Sequence, residues 1–414
     1  MKSYFIYYII VILILVCAFP SCEEAGPIQK KTPTITLNKK ALEIIKADQA
    51  FGFELFREVY NLTEKYNIMI SPLSVSYALG MTYNGAAGTT LEAFNDVLHF
   101  DDLTTQEVNE SYKDLMDQLV HLDDQVEFSI ANSIWYRLGF SVLSEFIQTN
   151  KDYFDAEVKD IDFGDPGTVE IINQWIEDKT NDKIQDMLDF IPADAVMYLI
   201  NAIYFNAIWK YEFEKEDTYE GDFNLADGTK HKTDYMRVTG NFVYTSNEDF
   251  TAVELPYGDS TFSMVVMLPS GEQEVSDLVA KLDDVHWDAW FDNSKLMKVQ
   301  VDFPKFKYEF KKLLNDPLIN LGLGVAFSYE ADFTRINPAG GLFISRVIHQ
   351  TFIDVQEEGT EAAAATIVEI LETSGVGGSS PIYFKADKPF LYLIKENSTG
   401  AIIFIGKVGK PEYS

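Results

Sequence analysis

The sequence predicts one large domain of the α+β class. Helical periodicity prevails from residue 41 to residue 188 and strand patterns prevail after it, although long strand patterns occur in both halves. No internal repeat and no second linker divides the chain. A length of 414 residues would on its own suit two or three domains. The lack of a second linker favours one.

The composition is that of a globular protein that repels polyanions. Hydrophobic residues make up 47% of the chain and charged residues 24%, which allows an ample core. Asp and Glu number 65 against 33 Lys and Arg, for a formal net charge of −32. Such a charge repels nucleic acid and anionic lipid. Neither nucleic acid nor a polyanionic cofactor is therefore an expected partner.

The N-terminus predicts export. One lysine precedes an apolar run over residues 4–19, which is typical of a secretory signal. Cys22 follows the run and a small residue, as in a bacterial lipobox, where the cysteine thiol receives the lipid. Phe19 and Pro20 depart from the usual lipobox residues, and an uncleaved signal anchor is the alternative. We expect a lipoprotein signal peptide over residues 1–21 and a lipid on Cys22.

Residues 22–40 are rich in Pro, Thr and Lys and predict a flexible tether, so the domain is expected over residues 41–414. Both cysteines, Cys17 and Cys22, precede the domain, which leaves no cysteine pair there for a disulfide. The expected location is the outer membrane or cell surface of a Gram-negative bacterium. Periplasmic and outward orientations both stay open.

Apolar spacing predicts the first elements of the domain. One face of a helix that begins near residue 41 carries large apolar residues: Phe51, Leu55, Phe56 and Val59. Residues 67–72 have the pattern of a short buried strand. Ser74 is predicted to cap a helix over residues 75–83, which Asn84 and Gly85 end.

Strand patterns fill the second half. Residues 195–210, AVMYLINAIYFNAIWK, are apolar throughout and lack Gly and Pro, which predicts a long strand buried on both faces. Similar patterns predict further strands over residues 250–269, 298–310, 389–395 and 401–408 and near Ile348, and short helices near residues 313–321.

No common catalytic motif is present. The sequence contains no Gly-x-Ser-x-Gly, His-Glu-x-x-His, Walker or Gly-x-Gly-x-x-Gly pattern. The domain contains no cysteine, which excludes a thiol nucleophile and cysteine zinc sites. The five histidines are not at metal-ligand spacing: His99, His121, His231, His286 and His349. We expect neither an enzyme nor a site for a metal or another cofactor.

Seven segments, in chain order, resemble the serpin family. EEGTEAAAAT at residues 357–366 is similar to the hinge of inhibitory serpins. The other six are NIMISPLSVSYALGMTYNGAAGTT (67–90), INAIYFNAIWKYEF (200–213), FPKFK (303–307), HQTFIDVQEEGTEA (349–362), ADKPFLYLI (386–394) and IFIGKVGKP (403–411). The resemblance covers roughly residues 42–411.

The resemblance implies a fold and a mechanism. The fold would have three β-sheets, eight or nine helices and an exposed reactive loop near the C-terminus. A serine protease attacks the loop and forms an acyl-enzyme; the cut loop then inserts as a strand into the main sheet and traps the protease. The expected partners are serine proteases, with cysteine proteases as a second class, and the chain is expected to be a monomer. The alternative is a non-inhibitory serpin that binds or carries a ligand.

The loop sequence suits insertion as a strand. Alternate residues from Thr360 to Ile370 are small or apolar and uncharged, whereas Glu361 and Glu369 fall in the other set. One face of an inserted strand is therefore fit for the core. A helix would also place the two glutamates roughly on one side, so the pattern alone does not decide. The resemblance assigns the hinge to Glu358, Gly359, Thr360, Glu361, Ala362, Ala363 and Ala364.

The reactive bond follows from a count. In the family it lies fourteen residues after the hinge glycine, which here gives Thr373–Ser374. The neighbouring alternatives are Ile370, Leu371 and Val376. No Arg or Lys lies between residues 359 and 381, which disfavours trypsin-like enzymes and favours elastase-like or subtilisin-like ones.

The resemblance also implies supporting residues. Trp209 corresponds to the tryptophan where the hinge enters the sheet. A polar cluster beneath the sheet opening corresponds to Ser71, Ser74, Asn201 and His349. Plain core packing is the alternative for each of them.

Overall fold

The computed structural model describes residues 32–100, 103–360 and 380–413. Its α-helices in these ranges are α1 (Lys39–Asn61), α2 (Pro72–Tyr83), α3 (Gly88–Leu98), α4 (Thr105–Leu119), α5 (Ser144–Phe154), α6 (Thr168–Lys179), α7 (Val275–Ala280), α8 (Asp284–Phe291) and α9 (Asn315–Leu321). Its strands are β1 (Asn67–Ile70), β2 (Val126–Arg137), β3 (Glu157–Ile161), β4 (Met197–Ile208), β5 (Tyr219–Asn224), β6 (Lys230–Ser246), β7 (Phe250–Tyr257), β8 (Phe262–Pro269), β9 (Lys295–Pro304), β10 (Phe306–Leu313), β11 (Ile348–Val355), β12 (Gly359–Thr360), β13 (Ile382–Lys385), β14 (Phe390–Glu396) and β15 (Ile402–Val408).

The described strands form two hydrogen-bonded sheets. One has six strands in the order β10-β11-β12-β4-β2-β3. The other has nine, in the order β1-β15-β14-β8-β7-β6-β9-β13, with β5 also paired to β6. The 17-residue strand β6 pairs with β5 in its first part and with β7 in its last four residues, so it joins two sheet segments. β6 divides the nine-stranded sheet into two segments, and together with the six-stranded sheet these make three. The predicted three-sheet fold is confirmed.

The main core lies between the two sheets. Phe205 of β4 packs edge-on against Tyr257 of β7 and Phe262 of β8, with ring centroids 5.4 and 5.6 Å apart. On its other face the six-stranded sheet meets α6, where Ile172 and Ile200 belong to a second apolar cluster. The predicted long strand over residues 195–210 is therefore covered on both sides, as its continuous apolar pattern indicates.

Two strand predictions need correction. Several helix-like segments were predicted up to residue 188 and no individual strand was assigned among them, yet β2 and β3 lie there and β2 pairs with β4. The alternating stretch at residues 298–310 forms two strands in different sheets, β9 and β10, and Lys305 separates them. The chain therefore crosses from one sheet to the other at Lys305.

The cap of α2 is Ser71 and not Ser74. The Ser71 Oγ accepts a hydrogen bond from the Ser74 backbone N at 3.3 Å. Pro72 is the first residue of the helix. A backbone N–H at this position would have no partner within the helix, so proline loses no hydrogen bond there. The Ser74 hydroxyl is consequently available for a contact with β4.

The folded body begins before the predicted boundary at residue 40. The backbone N of Ile35 donates to the Ser398 Oγ at 3.0 Å, and that of Thr36 donates to the Gln118 Oε1 at 2.9 Å. Asn38 caps α1 with its side chain, and residues 33–414 form one compact unit. The last part of the predicted tether is thus packed on the domain, while residues 22–31 lie outside the described residues.

Candidate functional site

The first part of the predicted hinge is already a strand of the main sheet. Gly359 and Thr360 form β12, which lies antiparallel between β11 and β4. Thr360 is opposite Val355 on one side and Ala207 on the other. Since β11 and β4 each continue well past this short strand, β12 marks the first two positions of a longer strand site between them.

The hinge glycine sits where no side chain fits. A Cβ atom on Gly359 would lie 2.1 Å from the backbone O of Ala207, which belongs to the neighbouring strand. Only glycine allows this close approach of two backbones. Thr360 is 3% exposed, and its hydroxyl lies 2.5 Å from the Tyr257 hydroxyl. Burial raises the pKa of Tyr257, which therefore stays protonated and able to donate.

Trp209 holds the chain that enters the hinge. Its indole stacks on the Tyr257 ring with centroids 4.3 Å apart and an interplanar angle of 13°. The indole Nε1 donates to the Gln356 backbone O at 2.9 Å, and the Trp209 backbone N donates to the Glu358 backbone O at 2.9 Å. Trp209 thus lies at the hinge, the location that the resemblance implied for it.

Two glutamates anchor the hinge from outside the ladder. The Glu357 carboxylate accepts hydrogen bonds from the Lys305 Nζ at 2.8 Å and the Thr218 Oγ1 at 2.9 Å. Burial opposes ionisation of Glu357, but these hydrogen bonds outweigh burial and lower its pKa. Glu358 pairs with the Lys215 Nζ at 2.5 Å. Sequence reasoning did not predict Lys305, and the only signal for it was its position inside the segment FPKFK.

The register of β12 defines where an inserted loop would lie. Continued antiparallel to β4, it places Ala364 opposite Ile203 and Ile370 opposite Met197. The predicted uncharged set then shares the face on which Thr360 meets Tyr257 in the core. Thr366, the polar residue within that set, falls opposite Asn201 on β4. Continued along β11, the same register places Thr366 opposite His349.

The predicted polar cluster is assembled at that point. The Nε2 of His349 accepts a hydrogen bond from the Ser71 backbone N at 3.0 Å. The Ser71 Oγ donates to the Ile403 backbone O at 2.7 Å, which ties α2 to β15. The Ser74 hydroxyl donates to the Asn201 Oδ1. All four predicted residues therefore lie together, and their hydrogen bonds join α2, β4, β11 and β15.

Sequence reasoning missed a fifth member, Asn132 of β2. It pairs directly with Asn201 in the sheet register, and its Oδ1 accepts from the Asn201 Nδ2 at 2.7 Å. The Asn132 Nδ2 donates in turn to the Phe154 backbone O at 2.6 Å. A cavity of about 370 Å³ adjoins the cluster, and its lining includes Ser74, Asn201 and His349.

The cluster makes stability depend on pH. His349 is buried, and burial lowers its pKa from the ordinary 6.5 to about 4. Between these values the unfolded chain binds a proton that the folded one excludes, so stability falls as the pH drops from about 6.5 to about 4. The full effect is about 3 kcal/mol. Asp48 opposes it, because burial raises its pKa to about 7 and acid then favours the folded state.

We expect His349→Gln to remove most of the loss that His349 causes, because glutamine can accept the Ser71 hydrogen bond without titrating. The measurement is the urea midpoint from pH 7 to pH 4.5 for the wild type, His349→Gln and the control Asp48→Asn. The control should steepen the loss, since it removes the group that opposes it. Parallel curves for the wild type and His349→Gln would contradict the assignment.

Several predicted residues lie outside the described residues. They are Cys22, Glu361, Ala362, Ala363, Ala364, Thr373 and Ser374. Among the residues that the structure does describe, no helix is long and apolar enough to cross a membrane. The same residues contain no group of three or more His, Cys, Asp or Glu placed to hold a metal ion.

Comparison with known proteins identifies the family. Residues 46–411 match the family model "Serpin (serine protease inhibitor)". A serpin-like protein of Methanosarcina acetivorans is 36% identical over 92% of each chain. Chicken neuroserpin (Gallus gallus) is 33% identical over 91% of this chain and 95% of its own.

A solved structure gives the same result for the fold. The thermophilic serpin tengpin in its native state superposes with a TM-score of 0.82 at 34% identity, over 91% of this chain and 95% of the other. The hinge strand and the polar cluster lie where the family resemblance placed them, and the comparisons point to the same family. The chain belongs to the serpin family.

Proposed function

We propose that this protein is a suicide-substrate inhibitor of serine proteases. The observation that supports the proposal best is the position of Gly359 and Thr360, which form a strand between β11 and β4 of the main sheet. The loop sequence adds the uncharged face that such a strand needs. Membership of the serpin family makes inhibition the expected activity.

The chemistry is that of an interrupted peptide cleavage. The protease serine Oγ attacks the Thr373 carbonyl carbon, an ester forms, the peptide bond breaks, and the Ser374 amine takes the proton and leaves. The loop from residue 361 onward then continues β12 antiparallel to β4. From Thr360 to Thr373 the inserted strand would be about 45 Å long. The ester travels with it, and the protease is distorted before water completes hydrolysis.

The specificity proposal is for elastase-like or subtilisin-like enzymes. Thr373 has a short branched side chain, which fits a shallow pocket and offers no charge to a trypsin-like one. Cysteine proteases are the second class proposed, since they also form an acyl-enzyme.

Incubation with pancreatic elastase and with subtilisin tests the proposal. We expect a covalent complex that survives SDS. We also expect a released C-terminal fragment whose mass shows that it begins at Ser374. Thr373→Arg should move inhibition toward trypsin and leave the melting temperature unchanged. A fragment that begins at Gly377, with full inhibition, would place the bond after Val376 instead.

We also propose export with a lipid on Cys22, and a location at the outer membrane or cell surface. The support is the apolar run followed by the lipobox-like cysteine. Cys22→Ser should move the protein from the membrane fraction to the soluble fraction. Retention of this variant with an unprocessed N-terminus would favour the uncleaved signal anchor.

A further inference from the structure

The guanidinium of Arg346 borders the strand site between β11 and β4. Arg346 lies two residues before β11, and its Nη1 is buried and has no hydrogen-bond partner among the residues that the structure describes. The guanidinium carbon lies 4.9 Å from the centroid of the Phe190 ring, which covers one face of the group. A charged donor that is buried without an acceptor costs free energy. An acceptor that arrives at this nitrogen is therefore favoured.

The cavity next to the polar cluster leaves room for such an acceptor. Arg346 and Tyr198 both line it, together with apolar side chains that include Leu199 and Ile344. Burial raises the pKa of Tyr198, and the positive charge of Arg346 opposes that rise. Asp194, the described carboxylate that also lines the cavity, is exposed and does not accept a hydrogen bond from the buried Nη1. The cavity therefore offers an anion a place beside Arg346.

The backbone around Arg346 continues the line of β11. The Asn315 Nδ2 donates to the Ser345 backbone O at 2.8 Å, and the Val347 backbone N donates to the Asn315 Oδ1 at 2.9 Å. The Leu314 backbone N donates to the Val347 backbone O at 2.8 Å. These hydrogen bonds prolong the pairing of β10 with β11, on the side away from β4. The register of β11 therefore continues to Arg346.

The register of β12 would bring a glutamate of the reactive loop to this point. Counted nine residues on from the two pairings of Thr360, an inserted Glu369 would lie opposite Arg346 on one side and Tyr198 on the other. Side chains directly opposite each other in such a pair have Cβ atoms about 5 Å apart. A guanidinium can then hold a carboxylate through two parallel hydrogen bonds. Glu369 itself lies outside the described residues.

We propose that Arg346 receives the Glu369 carboxylate when the cut loop inserts, and that this ion pair fixes the last part of the inserted strand. The inference depends on the proposed function, because it assumes that the loop inserts. Glu369 lies four residues before Thr373, so the pair forms only after the ester has covered most of its path. The pair therefore stabilises the final inserted state and has no part in the start of insertion.

A double-mutant cycle on the loop-cut protein tests the pair. The variants are Arg346→Gln, Glu369→Gln and their combination, each cut after residue 370 by a metalloprotease and checked by mass. We expect each single variant to unfold in guanidinium chloride about fivefold faster than the cut wild type, and the double variant to unfold no faster than either single one. Exchange of the two charges, Arg346→Glu with Glu369→Arg, should restore most of the wild-type rate, which a role in shape alone would not do.

Glu361→Gln is the matched control, because Glu361 falls on the same face of an inserted strand but about 26 Å from Glu369. Its effect should add to that of Arg346→Gln. Additive effects of Arg346→Gln and Glu369→Gln would overturn the pair, as would a charge-exchanged protein that unfolds faster than the double glutamine variant. A cut wild type that unfolds no more slowly than the intact protein would overturn the proposed function, and the pair with it, because the loop would then not have inserted.

Discussion

Cleavage of the reactive loop between residues 366 and 376 raises the melting temperature by tens of degrees: this is the largest effect we expect. The cut loop can extend β12 by about ten residues, each paired with β4 and, for part of the length, with β11. At about 1 kcal/mol for each net hydrogen bond, the gain is on the order of 10 kcal/mol. Burial of the uncharged face adds to it.

Calorimetry before and after limited cleavage of the loop by a metalloprotease, which forms no acyl-enzyme and so is not trapped, measures this gain. The matched control is a cut in residues 23–31, which precede the folded body and should leave the melting temperature unchanged. Identical melting curves for the intact and loop-cut proteins would favour the non-inhibitory alternative, in which the serpin fold binds or carries a ligand without inserting its loop.

We expect Ala364→Arg to convert the inhibitor into a substrate, with the second largest effect. If the register of β12 continues, an inserted Ala364 would lie opposite Ile203 and Thr351, which are 5% and 1% exposed. An arginine there would bring an unpaired charge into the core, at a cost of several kcal/mol. Insertion then stalls, and hydrolysis of the acyl-enzyme wins. The native hinge at Gly359 and Thr360 is untouched.

The measurement is the number of inhibitor molecules consumed per elastase molecule, which should rise at least tenfold as SDS-resistant complexes disappear. Ser379→Arg is the control, because it follows the reactive bond and stays with β13. If Ala364→Arg still traps elastase at the wild-type ratio, insertion along the register of β12 is wrong. A loss of trapping in both variants would indicate that the added charge acts before cleavage.

The sequence predicted those parts of the site whose residues are close together in the chain. It did not predict the contacts between segments that are far apart in the chain. The segment EEGTEAAAAT contains the hinge, and its glycine and alternation follow from strand geometry. The Lys305–Glu357 ion pair joins residues far apart in the chain, and no local pattern marks it. Such a contact forms because the chain crosses from one sheet to the other. The hydrophobic periodicity of a segment gives no information about that crossing.

The strand β2 was missed for a related reason. Its apolar pattern is interrupted by Ser129, Asn132 and Ser133. Asn132 is buried because it completes the polar cluster with Asn201. The residue that serves the site thus weakened the signal for the strand that carries it. Ser74 shows the reverse case: its hydroxyl was assigned to a helix cap, but it contacts Asn201 on the neighbouring strand.

The strand site between β11 and β4 also matters for association between copies of the protein. Its backbone groups could pair with any extended segment of small residues, because hydrogen bonding alone does not distinguish a molecule's own loop from that of a second copy. The net charge of −32 keeps copies apart through mutual repulsion. Salt shortens the range of that repulsion to about 10 Å at 0.1 M. We therefore expect added salt to favour insertion of the loop of one molecule into the strand site of another, in competition with the proposed reaction of the loop with a protease.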